Sequence, residues 1–348
     1  MNGGLILATI KDIAKHAGVS PSTVSIVLNG QADVRKISAK TQKKVWAAIR
    51  ALEYQPNIPA RRLRGDSQSK TLVIAVFWAS DFRAHMVLRF LRGLQDEILQ
   101  SNRECEIIIH PYKNNELCNI TSLRSMNMYN AAIICNASSK DLEYLESCNF
   151  NIPIILYNRH SQKYCTVNVD DVKLGSIPAQ VFASRGHRKA AIITSQPVFS
   201  GMEVRIESFI STATKHNLEI VDVIYEDNSM PGGFSAAKRL LDLEVKPDCL
   251  FCASDAMAIG ALRCVHKSGI IIPDDLELIS IGNGDMDLEE YATTSLSVVH
   301  LPMEKMAETC LRLVFDVLNH RIEPPHSIEL PVHYIARESC GEMNIDEG

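Results

Sequence analysis

Apolar residues in the first fifty positions recur with a helical period. Ile10, Ile13, Ala14 and Ala17 fall at i, i+3, i+4 and i+7, which makes one face of a helix. Thr9 is placed to cap its start, with Asp12 near the positive end of the helix dipole. Gly18 is placed to end it in a left-handed conformation. Ser20-Pro21 then opens a second helix, with serine as cap and proline at the first helical position. Its inner face is Val24, Val27 and Leu28. After the loop from Asn29 to Ile37, Ser38 caps a third helix. Val45, Ala48, Ile49 and Leu52 give this helix an apolar stripe, and it ends before Pro56. Helix, tight turn, helix and a third supporting helix is the pattern of a helix-turn-helix unit with a small core.

The outer face of the second helix decides between a generic three-helix bundle and something more specific. Pro21, Ser22, Thr23, Ser25, Ile26 and Asn29 are small or uncharged. A merely solvated face usually carries Lys and Glu. Small polar side chains let a helix enter the major groove and reach phosphates and base edges.

From Thr71 the pattern changes to short apolar runs alternating with amphipathic helices. Leu72 to Ala79, Glu106 to His110, Ala131 to Cys135 and Ile152 to Tyr157 read as strands. A second set begins near Thr166, with Thr166 to Val169, Ala190 to Thr194, Ile220 to Tyr225, Cys249 to Ala253 and Leu276 to Ile281. Met86 to Asn102 and Gly233 to Leu243 are among the intervening helices. Repeated strand-helix alternation implies parallel sheets. Nine strands in two groups predict two doubly wound lobes, with a ligand site at the carboxyl ends of strands, in the cleft between lobes.

Charge adds an asymmetry. The whole chain carries −5, yet residues 1–66 hold 11 Lys and Arg against 4 Asp and Glu. A basic, strongly patterned start ahead of an acidic body points to a polyanionic partner. No apolar run is long enough to span a bilayer, and Leu5 to Ile10 is too short for a signal-peptide core, so the expected location is the cytoplasm, with no membrane partner. Of ten cysteines only Cys249 and Cys252 form a C-x-x-C pair. They sit in an apolar strand, three residues apart and so on opposite faces, which favours small core hydrophobes over a redox or metal pair. No second pair completes a zinc site. No G-x-S-x-G, phosphate-binding loop or H-E-x-x-H occurs, and Gly282-Asn-Gly284 lacks a third glycine. No enzyme, cofactor or metal is expected.

The stretch Ile10-Lys-Asp-Ile-Ala-Lys-His-Ala-Gly-Val-Ser-Pro-Ser-Thr-Val-Ser-Ile-Val-Leu-Asn29 resembles the headpiece of the lac-repressor-type (LacI/GalR) family. The resemblance continues through Ser38-Ala-Lys-Thr41 and Tyr54-Gln-Pro-Asn-Ile-Pro-Ala-Arg-Arg-Leu63, which is similar to the family's hinge. In the body it runs through Asp170 with Gly175, Gly186-His187-Arg188, Arg205, Ser254-Asp255 with Ala258-Ile-Gly260, Ile272-Pro-Asp274 and Arg337-Glu-Ser339. It implies an all-α helix-turn-helix headpiece plus an α/β periplasmic-binding-protein-like sensor of two doubly wound parallel-sheet lobes. The expected divisions are a headpiece at 1–56, a hinge at 57–69, a sensor at 70–340 and a tail at 341–348. The N-lobe takes about 70–168 and 299–330, and the C-lobe about 169–298 and 331–340.

Carried over by position, the resemblance implies that Ser20, Thr23, Ser25, Asn29 and Asn57 meet DNA phosphates, that Pro21 and Ser22 face base edges, and that Thr9 belongs to the same DNA-binding set. From the hinge, Ala60, Arg61, Leu63 and Arg64 join the interface, with Leu63 as a wedge between base pairs. Most relatives have Arg where this chain has Ile26. Isoleucine can only pack against apolar edges such as a thymine methyl, so a half-site departing from the family's usual one is expected there. A hinge of about two helical turns is unstable alone and needs DNA and a second copy to fold. This implies a homodimer on a pseudo-palindromic operator, with repression as the family's more frequent mode. No leucine heptads follow Arg337-Glu-Ser339, so nothing points to a coiled-coil tetramer.

For the effector, the resemblance makes Arg205 a ligand contact, with a surface salt bridge as its alternative. The expected pocket comprises Phe77, Trp78, Asn158, Asp170, Arg205, Ser254, Asp255 and Asn283. Several positions depart from the family pattern. Ser254-Asp255 replaces the usual Asn-Asp, and Gly282-Asn283-Gly284-Asp285 replaces Gly-Phe-Asp-Asp, so Gly284 stands where a sugar-binding carboxylate would be. Asn228 falls where some relatives stack a sugar on an aromatic ring, and Asn158-Arg159 replaces the usual Asp-Arg. The expected effector is a small polar molecule of carbohydrate type. Two other readings share the body fold: a transport-type solute-binding protein, which needs an export signal and no basic headpiece, and an enzyme, which needs a catalytic constellation in the interlobe cleft.

Overall fold

A computed structural model describes residues 9–28, 32, 35–52, 71–81, 83, 86–120, 122–123 and 129–341. The expected hinge, and with it Asn57, Ala60, Arg61, Leu63 and Arg64, lies outside the described residues, as does Asn29. The chain divides into two units, one built around the N-terminal helices and one around the α/β body.

The first unit holds α1 (Ile10–Ala17), α2 (Pro21–Leu28) and α3 (Ala39–Ala51). Thr9 and Asp12 form a reciprocal capping box. Asp12 N donates to Thr9 Oγ1 at 3.3 Å and Thr9 N to Asp12 Oδ2 at 2.8 Å. The hydrogen bonds from Thr9 hold the Asp12 carboxyl below the usual carboxylate range. Gly18 ends α1 with φ 65°, a conformation that costs glycine little. Ser20 caps α2 by accepting from Thr23 N at 3.1 Å, and Ser38 caps α3 by accepting from Thr41 N at 3.2 Å. Ile13, Ala14, Ala17, Val24, Val27, Ala32, Val45 and Ala48 close one small core.

The body contains β1 (Leu72–Ala79), α4 (Val87–Ser101), β2 (Cys105–Tyr112), β3 (Ala131–Cys135), α5 (Ser139–Ser147), β4 (Ile154–Tyr157) and β5 (Cys165–Val169). It continues with α6 (Asp171–Ser184), β6 (Lys189–Thr194), α7 (Ser200–Lys215), β7 (Glu219–Tyr225), α8 (Met230–Leu241), β8 (Cys249–Cys252) and α9 (Asp255–Lys267). The last elements are β9 (Glu277–Gly282), α10 (Met286–Glu290), β10 (Ser297–His300), α11 (Met303–Leu318), β11 (Ser327–Leu330) and β12 (His333–Ile335). They build two six-stranded sheets, ordered β11-β5-β4-β3-β1-β2 and β12-β10-β9-β8-β6-β7.

Central strands are covered on both faces, so they read as unbroken apolar runs. All five residues of β3 and all six of β9 are buried. The edge strand β2 is covered incompletely, leaving the adjacent Ile108 and Ile109 exposed. Cys249 and Cys252 are free thiols with no exposure, and burial raises both above their ordinary range, as expected of core residues.

Three features differ from the strand pattern read along the chain, the first being that β10, β11 and β12 join the nine expected strands. The segment Thr166 to Val169 belongs to the first sheet, where β5 runs parallel to β4 and to β11. It therefore does not open the second set. The sheets are also not wholly parallel, because β12 pairs antiparallel with β10. The chain passes between sheets three times, after Val169, after His300 and after Leu330. Short strands late in the chain have weak local signatures, and their sheet is decided by which neighbour offers a free edge.

Candidate functional site

Helix α2 divides its residues cleanly. Val24 and Val27 are buried, while Ser20, Pro21 and Ser22 are exposed and Thr23, Ser25 and Ile26 are half-buried. The Ser20 and Thr23 hydroxyl oxygens lie 2.9 Å apart, so the cap holds both side chains at the start of the helix. Uncharged and short, this face is shaped to approach a duplex closely.

A cavity in the body lies outside the carboxyl ends of strands from both sheets, the place where doubly wound folds bind ligands. Its lining includes Arg83, Asn136, Tyr157, Asn158, Arg159, Thr194, Phe199, Arg205, Asn228, Ala253 and Asn283. Many of these directly end or follow a strand: Asn136 after β3, Asn158 after β4, Thr194 in β6, Ala253 after β8 and Asn283 after β9. Asn136 and Asn158 take left-handed conformations, with φ 60° and 53°, where asparagine is favoured among residues with a Cβ.

Of the pocket residues expected from the sequence, the cavity brings Asn158, Arg205 and Asn283 together. The others are held elsewhere for clear reasons. Trp78 is 3% exposed and packs at 5.2 Å on Phe90. Phe77, its neighbour on the opposite face of β1, stacks at 5.0 Å on His110. Asp170 caps α6 by accepting from Lys173 N at 3.0 Å. Ser254 caps α9 and donates to Asn228 Oδ1 at 2.7 Å. Asp255 is buried and accepts from Gly284 N at 2.8 Å. A Cβ on Gly284 would come 2.3 Å from Asp255 Oδ2, so the Asp255 carboxylate fills the space that a side chain at 284 would need.

Arg205 is paired, but not at the surface. It is 6% exposed, and its Nε donates to Asp171 Oδ1 at 2.8 Å. Arg83 pairs likewise with Asp81, Nη2 to Oδ2 at 2.5 Å. Arg159 differs. Its Nε and Nη1 donate to the carbonyl oxygens of Ala137 and Asn158, and it has no carboxylate partner among the described residues. All three guanidiniums surround the Phe199 ring, with their central carbons 3.8 Å (Arg159), 5.5 Å (Arg205) and 5.9 Å (Arg83) from its centroid. Burial, reinforced by the charges of Arg83 and Arg205, pushes Arg159 down to about 9.

Sequence reasoning passed over Arg83, Asn136, Phe199 and the inward role of Arg159. A polar residue directly after a parallel strand was a usable signal for Asn136. Arg83 and Phe199 sit in connections whose paths no local pattern reveals.

His187, Asp248 and Cys249 also bring one donor atom each within 4.8 Å of one another. Their chemistry is already engaged: His187 Nε2 lies 2.8 Å from Glu277 and Nδ1 3.3 Å from Asp248, and the Cys249 thiol faces Lys189 O. Among the described residues, no helix is long and apolar enough to cross a membrane.

A helix-turn-helix unit followed in the chain by a two-lobed α/β body with a cavity at its strand ends is the architecture of a DNA-binding regulator. Two family models match: bacterial regulatory proteins of the lacI family over residues 9–57, and the periplasmic binding protein-like domain over residues 179–340. The chain is 30% identical over 345 residues to the probable HTH-type transcriptional repressor ExuR of Bacillus subtilis strain 168, covering 97% of this chain and 99% of that one. It is 24% identical over 343 residues to the HTH-type transcriptional repressor PurR of Yersinia pestis, covering 97% and 98%.

Among solved structures, a LacI family transcription regulator from Clostridium acetobutylicum superposes with a TM-score of 0.75 at 39% identity, covering 77% of this chain and all of that one. The lac repressor dimer bound to operator gives 0.70 at 21% identity, covering 97% and 100%, a likeness of fold. The chain belongs to the LacI family of bacterial regulatory proteins and is a DNA-binding transcriptional repressor of that family.

Proposed function

We propose that this repressor grips a pseudo-palindromic operator as a homodimer, and that a small polar effector of carbohydrate type in the strand-end cavity alters the grip. The observation that carries the DNA-binding half is the division of α2, with Val24 and Val27 in the core and Ser20, Pro21 and Ser22 turned outward. Ile26 on the same helix packs on an apolar base edge, and Leu63 acts as the hinge wedge. In support, a solved relative of the same fold is the lac repressor dimer on its operator, and two others are a CelR–cellobiose complex and an Enterococcus faecium regulator with bound ribose.

The test is selection of operators from random duplex DNA by the full-length protein, followed by gel shift across salt concentrations. Affinity should fall steeply as salt rises, because phosphate contacts release counterions. Leu63→Ala should keep the fold and lose most operator affinity. Failure to enrich any duplex at low salt would overturn the reading.

A further inference from the structure

Resting on the reading of the strand-end cavity as the effector site, we propose that the effector is an organic acid: a small polyhydroxylated molecule whose single carboxylate is received by Arg159, between Arg83 and Arg205. The argument is one of charge and unmet hydrogen bonds. Three guanidiniums converge on one ring, and two carboxylates, Asp81 and Asp171, answer two of them. Among the described residues, no acidic residue lines the cavity. Arg159 is 3% exposed and its Nη2 has no hydrogen-bond partner among the described residues.

A buried, unanswered charge is costly, and an anionic ligand removes the cost where a neutral sugar does not. Arg159 stays charged at neutral pH even though burial lowers it to about 9. One surplus positive charge matches one carboxylate, whereas a phosphate monoester brings roughly 1.5 to 2 negative charges. Neutral groups lining the same site with an atom unmet among the described residues include Asn136, 5% exposed, through Nδ2, Asn283, 6% exposed, through Oδ1, and Tyr157, 2% exposed, through its hydroxyl. Donors and acceptors of this kind suit hydroxyls on the rest of the molecule. Phe199, fixed under the guanidiniums, supplies an apolar floor.

The experiment uses the full-length protein and measures thermal shift and calorimetric affinity for D-glucuronate, D-gluconate, D-glucose and D-glucose 6-phosphate. The expected result is binding of at least one of the two acids, with glucose at least tenfold weaker. Arg159→Gln should weaken the acid by roughly 10- to 100-fold while leaving the unliganded melting temperature equal or higher, since it removes an unanswered charge. Arg159→Lys, which keeps the charge and loses the fork, should fall between. Glucose binding as tightly as the acids, or an acid affinity indifferent to Arg159→Gln, would overturn the proposal. So would preference for glucose 6-phosphate.

Asn283→Ala separates the two levels. A ligand weakened by Asn283→Ala but not by Arg159→Gln leaves the cavity as the effector site and removes the acid. A ligand indifferent to both variants, or no binding by any of the four, counts against the cavity itself and takes the acid with it.

Discussion

Arg205, on the wall of the cavity, donates through Nε to Asp171 Oδ1 at 2.8 Å, joining α7 to the first residue of α6 behind it. Asp170, the adjacent residue, instead caps the same helix through Lys173 N. Two neighbouring carboxylates thus have separate tasks, and substitution distinguishes them. Asp171→Asn should destabilise the protein by about 3 kcal/mol, because it leaves a buried guanidinium unanswered. Asp170→Asn should cost under about 0.5 kcal/mol, since asparagine caps as well as aspartate. Urea denaturation of both variants checks this; equal losses would refute the division.

Gly175 lies where α6 crosses α7 most closely. A Cβ there would stand 1.9 Å from the carbonyl oxygen of Arg205. Gly175→Ala should therefore push the helices apart at a cost of about 1–3 kcal/mol, despite alanine's better helix propensity. The displacement reaches Arg205, so effector affinity should drop along with the melting temperature. An unchanged melting temperature would show that the crossing relaxes freely.

Glu277 ties the Gly186-His187-Arg188 turn to the second sheet. Burial alone would raise its carboxyl, but hydrogen bonds from His187, Arg185 and Cys340 outweigh this and hold it at about 2. The folded value lies below the ordinary one near 4.5, so the stabilisation is complete above that pH and is lost as pH falls toward 2. Glu277→Gln should cost about 3 kcal/mol at pH 7 and progressively less at pH 4 and 3. Stability curves of the two proteins that run parallel across this range would contradict the assignment.

Ile26 sits half-buried on α2, the helix whose Ser20, Pro21 and Ser22 are exposed. Ile26→Arg should introduce a preference for guanine at one base pair of each half-site, worth about 1–3 kcal/mol of discrimination. Parallel operator selections with the two proteins read this directly. Identical consensus sequences would place residue 26 away from the bases.

Much of the local architecture was legible before any coordinates. Thr9 with Asp12, Gly18, Ser20-Pro21 and Ser38 announce helix ends because capping is a contest among neighbouring backbone groups, settled within four residues. Strands such as Leu72–Ala79 and Ala131–Cys135 were readable because a strand buried on both faces must be apolar throughout. The family resemblance rested instead on the residues of the Ile10–Asn29 and Tyr54–Leu63 stretches themselves.

The cavity was a different matter. Asn158, Arg205 and Asn283 were anticipated, but Trp78, Phe77, Asp170, Ser254 and Asp255 are turned to packing, capping and Gly284. The sheet of Cys165–Val169 and the gathering of Arg83, Arg159 and Arg205 around Phe199 join residues tens of positions apart. Periodicity and capping act over a few residues along the chain, so the amino-acid order alone determined the elements and their ends. Which side chains share a cavity, and which charge there is left unanswered, depends on how distant strand ends meet, and only the tertiary structure decided that.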